Sequence, residues 1–186
     1  MKSLVRSAQQ KRTLLQLIGE SNRMNANVFR HFYDYHFTEN RKIWDNHITV
    51  LSYEQFTKDM GYSHGSVRDQ LVHLMSVDEI WFCELQGSEP SEPFPAATMD
   101  DRESIRTHWD HIEQSMRAYL ANLRDDMLFN KPIEDPEEDK DLVVWQVLLH
   151  VVNHGTDHRA QLLRNLNDLG IKTESQDYIF YVYDHL

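Results

Sequence analysis

Apolar residues recur at intervals of three and four along most of this chain, the spacing of α-helices that bury one side. The clearest stretch is 99–123, where Ile105, Trp109, Ile112, Met116, Tyr119 and Leu123 form a single stripe. Thr98 followed by Asp101 gives this helix a capping-box start, with Asp in place of the usual Glu. Another helix is expected to begin at Ser66, with Asp69 three positions on, and to stop at Gly87. Residues 25–51 read as an earlier helix. The last long helix is expected from about Asp139 to Gly170, after the loop NKPIEDPEED, whose Pro132 and Pro136 disfavour helix. The pattern predicts an all-α domain of four main helices over residues 24–186. Residues 1–23 form an extension that reads as a fifth helix or as an appendage.

Two helices are apolar on more than one face. On the last, Val143, Val147 and Val151 share a face with His154, while Trp145, Leu148, Val152, Leu163 and Leu166 lie roughly opposite. On the helix after Ser66, Val67, Leu71, Leu74 and Leu85 take one side; Val77 and Ile80 fall beside His73. A helix that is apolar all round has to be covered all round. These surplus faces predict a homodimer joined through the two helices.

Composition narrows the class. Hydrophobic residues at 40% and charged residues at 26% are those of a globular chain, and only 6 Gly and 5 Pro argue against a turn-rich sandwich or barrel. No run approaches the roughly 20 apolar residues of a membrane span. The basic, amphipathic N-terminus lacks the unbroken apolar core of a secretory signal. The single cysteine, Cys83, cannot form an internal disulfide, and it reads as a small core residue; both points predict a cytoplasmic protein. A net charge of −11 would repel a phosphate backbone, so nucleic acid is not an expected partner.

The chain holds 11 His, which raises the question of metal chemistry. The run HVVNHGTDH spaces His150, His154 and His158 four apart, so neighbours share a face about 6 Å apart along the axis. Each imidazole of a mononuclear site must approach to roughly 2.1 Å. His150 and His158, about 12 Å apart along the axis, cannot both join such a site. Either His150/His154 or His154/His158 remains, with a third ligand from another helix. His73, in mid-helix among apolar residues, is the candidate.

Three stretches carry a family resemblance: YHFTENRKIWD, GSVRDQLVHLMSVDEIWFCELQG and LLHVVNHGTDHRAQL, followed by QDYIFYVYD near the C-terminus. In this order they resemble the DinB-like family, named for DNA-damage-inducible expression. Its superfamily includes bacterial thiol-dependent S-transferases and a mycothiol-dependent isomerase. The resemblance implies a four-helix bundle with one metal site of three histidines, falling on His73, His154 and His158. It places His150 beside the ligands rather than among them.

Three imidazoles would leave a coordination position open for a thiol or water, whose pKa the ion lowers. The resemblance therefore implies a metal-dependent enzyme moving a low-molecular-weight thiol onto an electrophile. The alternatives are a metal-dependent hydrolase and a non-catalytic metal-binding protein of the stress response. Zinc or nickel is the expected ion. Tyr35 and Asn40 are candidates to line the pocket, and Arg159 to bind an anionic group.

Overall fold

A computed structural model describes residues 24–95, 97, 100–134 and 137–186 of the chain. The expectation for residues 1–23 lies outside the described residues. All regular structure among them is helical.

Asn25 caps α1 (Ala26–Ile43), its side chain accepting from the Val28 N–H at 3.1 Å. Phe29, Tyr33 and Phe37 recur every four residues and are buried, as is Trp44 in the wider π turn that extends the helix over Trp44–Ile48. A one-turn helix, α2 (Tyr53–Thr57), sets Phe56 into the core. Next comes α3 (Val67–Gln86), begun at Ser66 and ended at Gly87, which adopts the left-handed backbone (φ 63°) that glycine supplies without strain. The third long helix, α4 (Arg102–Asn122), buries the expected stripe of Ile105, Trp109, Ile112 and Met116, with Leu120 added and Tyr119 half-buried.

Two helix starts differ from expectation. Helix α4 begins at Arg102, after Asp101, which makes no side-chain cap bond; the expected cap residue Thr98 lies outside the described residues. The last long helix, α5 (Val144–Asp168), begins at Val144 rather than near Asp139, and 137–141 form turns. The reason is a tether: the Val144 N–H donates to the Asn130 carbonyl at 3.0 Å, beyond a 3-10 turn over Asp125–Phe129. A closing helix, α6 (Tyr178–Asp184), packs Tyr178 and Tyr181 against Tyr35 on α1.

Helix α3 packs against both α5 and α4, and α1 against the same two, which closes a four-helix bundle. The core runs along its axis, with Leu71, Leu74, Ile105, Val151, Leu162 and Leu166 fully buried. Much of the surplus apolar surface on α3 and α5 is therefore covered within the chain. What stays open is local: Ile80 is 44% exposed and Leu149 45%. Cys83 is half-buried rather than a fully enclosed core residue. No described helix is long and apolar enough to cross a membrane.

Candidate metal centre

Where α3 packs on α5, imidazoles gather. The His73 ring lies 5.1 Å from that of His154 and 4.6 Å from that of His158; the last two are 4.2 Å apart. His73 Nε2 and His154 Nε2 stand 3.2 Å from one another. Two nitrogens on one tetrahedral ion, each at about 2.1 Å, would be separated by about 3.4 Å.

A fourth ring joins them. His64 stacks on His73 at 3.7 Å, and the ligating atoms of His64, His73 and His158 all lie within 4.8 Å of one another. Nothing in the sequence pattern drew attention to His64, because it sits in a loop with no helical register to the others. The loop places it. Ser63, in the left-handed region at φ 53°, bonds to Gln70 on α3 and to Gln161 on α5.

The cluster favours neutral rings. Burial, then repulsion from His64 and His158, lowers His73 to a pKa of about 4. Burial, followed by His158 and His73, does the same for His154, also to about 4. His158 is lowered chiefly by burial, with His64 adding to it. Metal ligation needs the unprotonated ring, so this is a donor set already in the required form. Three histidines here can bind a metal ion.

Gln70 holds one nitrogen of His158. The Gln70 amide nitrogen lies 2.6 Å from His158 Nδ1, and its oxygen lies 2.9 Å from the Ser63 hydroxyl. That hydroxyl also meets the Gln161 oxygen, yet it carries a single proton. As placed, the Gln70 amide N–H meets His158 Nδ1 and, at 3.4 Å, the His158 carbonyl. With the amide turned over, its nitrogen would donate to Ser63 Oγ and its oxygen would accept from His158 Nδ1–H, freeing Nε2 at the loss of the carbonyl contact.

Of the other sequence candidates, His150 is exposed and stands edge-on to Trp81 at 5.2 Å, outside the close cluster. Tyr35, Asn40 and Arg159 do come together, in a closed network rather than an open pocket. Arg159 donates to Gln176 Oε1 at 2.7 Å, Asn40 Oδ1 at 3.0 Å, Thr156 Oγ1 and His36 Nδ1 at 3.2 Å, and lies over the Tyr35 ring. Its donors are thus engaged by the protein itself.

His36 and Asp78, neither of which the sequence pattern singled out, complete that network. His36 Nε2 is 3.1 Å from Asp78 Oδ2, and both side chains are fully buried. A guanidinium can only donate, so His36 Nδ1 accepts from Arg159. His36 Nε2 lies 3.1 Å from Asn40 Nδ2 as well as from Asp78 Oδ2. The imidazole thus bridges the buried Arg159 guanidinium and the buried Asp78 carboxylate, which offsets the cost of burying each. The signal in the sequence was Asp78 itself, a carboxylate set inside the apolar run of α3.

The DinB family model matches residues 24–185. The chain belongs to the DinB family. It is also similar to Protein DinB of Bacillus subtilis (strain 168), with 24% identity over 158 residues, covering 81% of this chain and 91% of that protein.

Proposed function

We propose that His73, His154 and His158 hold one divalent transition-metal ion, zinc or nickel, and that the centre activates a low-molecular-weight thiol for transfer to an electrophile. The observation that carries this reading is the 3.2 Å approach of His73 Nε2 to His154 Nε2, near the spacing one tetrahedral ion imposes. When bound, the ion supplies a lowered pKa to a thiol or water presented to it. The protein's part is to keep the three rings neutral, to aim their Nε2 atoms at one point, and to leave one side reachable from solvent.

Thiol transfer is favoured over hydrolysis because the grouped donors His64, His73 and His158 are imidazoles and no carboxylate joins that group among the described residues. Water attack is ordinarily helped by a carboxylate base, whereas a thiol held as thiolate needs none at the moment of attack. Cys83 is not the thiol: it lies ten residues from His73, about 15 Å along α3. The thiol comes from solution. The same reading includes a homodimer joined through α3 and α5.

The test is metal analysis followed by conjugation of a model electrophile with bacillithiol, mycothiol or glutathione, comparing zinc- or nickel-loaded protein with chelator-stripped protein. His73→Ala, His154→Ala and His158→Ala should each lower metal content at least about tenfold, with His150→Ala losing less. Stoichiometric metal in His73→Ala would overturn the ligand set. Metal-dependent ester or amide hydrolysis with no thiol turnover would make water the nucleophile. Bound metal with neither activity would leave a non-catalytic metal-binding protein.

A further inference from the structure

The ligand assignment fixes one proton that the protein must accommodate. If His154 offers Nε2, its hydrogen is on Nδ1, and that atom is buried without a hydrogen-bond partner among the described residues. Buried donors in folded proteins almost always have an acceptor, and the remaining N–H of a metal-bound histidine usually meets a carboxylate or carbonyl.

Asp78 Oδ1 is a buried acceptor that likewise has no partner. Asp78 stands five residues beyond His73 on α3, about 140° further round the helix, so it enters from the core side while His73 faces the cluster. Its other oxygen is held by His36, and the His36 ring lies against Gly155, the residue next to His154. The other buried side-chain atoms without a partner among the described residues belong to Asp101, Arg106 and Asn165. Asp101 precedes α4, Arg106 lies in its first turns, and Asn165 is eleven residues beyond His154, about 16 Å along α5.

We propose that Asp78 is the positioning residue for His154: its free oxygen receives the Nδ1–H through a bridging water, and so commits Nε2 to the metal ion. This rests on the proposed ligand set. Asp78 is also near enough to His154 for its carboxylate to act on that ring. The arrangement makes Asp78 a junction. One oxygen closes the Arg159–His36 network that ties α1 to α5, and the other orients a ligand on α5. The buried network is thereby the support of the metal centre as well as part of the core.

The experiment is zinc titration of chelator-stripped protein against a competing chromophoric chelator, for the parent, Asp78→Asn and His154→Ala. Asp78→Asn keeps the volume and removes the charge and one acceptor. It should weaken zinc binding about 10- to 100-fold while the metal-free protein stays helical by circular dichroism. Zinc affinity within about twofold of the parent, in a background where His154→Ala loses zinc, would overturn the positioning role and leave the ligand set intact. Zinc retained by His154→Ala would instead overturn the ligand set itself. Long-range nitrogen–proton NMR of the zinc-loaded parent tests the same point without any variant, should Asp78→Asn fail to fold. A slowly exchanging His154 Nδ1–H is expected. A proton on Nε2, or an Nδ1–H lost to rapid exchange, would overturn the proposal.

Discussion

Gly155 sits in the middle of α5, where its own backbone asks for nothing special. A Cβ at this position would fall 2.4 Å from His36 Cε1 and 2.6 Å from His36 Nδ1. That ring cannot retreat easily, because Arg159 holds one nitrogen and Asp78 the other. Gly155→Ala is therefore expected to destabilise the fold by about 1–3 kcal/mol through overpacking, against the gain of up to about 1 kcal/mol that alanine brings to a helix. Urea unfolding of the metal-free protein measures it, and an unchanged midpoint would mean the ring has room to move. At this scale the sequence was readable only in part. His73, His154 and His158 stood out by spacing and resemblance. His64, His36, Asp78 and Gln70 did not, because their partners lie on other elements and no period along the chain connects them.

The long helices follow from local rules, and α3 shows this best. Ser66 Oγ accepts from the Asp69 N–H at 3.0 Å, and the helix ends at a left-handed Gly87, both at the positions the residues announce. Ser66 is also buried at 2% exposure, so water cannot replace its hydroxyl. Ser66→Ala should cost roughly 0.5–2 kcal/mol. A thermal melt of the metal-free protein checks this; a shift in the stabilising direction would count against the cap. Where local rules misplace a boundary, tertiary contacts explain it. Helix α5 starts at Val144 because that N–H is engaged by Asn130, across the loop. The short helix α6 gave little periodic signal in seven residues and is held by its aromatic packing on α1.

For the whole molecule, the open question set by the sequence is the second copy. The apolar faces that suggested it are mostly covered by the chain's own helices, leaving Ile80 and Leu149 with half-buried Trp81 and Trp145 around them. A dimer through α3 and α5 would cover this patch beside His150, which stacks edge-on to Trp81. Sedimentation at micromolar concentration should then give about 44 kDa, twice the 22.1 kDa chain. A monomer at that concentration would show that intramolecular packing, already extensive, suffices.

Periodicity, caps and breakers are local properties, so they alone were enough to announce an all-helical chain and most of its long helices. The four-apart histidines on one helix were legible for the same reason, since 3.6 residues per turn ties spacing to face. Which of two overlapping pairs faces α3, which loop brings His64 over His73, and how a buried arginine is balanced depend on distances between elements. Those were decided by the packing of α1, α3 and α5 against one another. Periodicity along one helix reports which face it buries, and says nothing of what the neighbouring helix presents there.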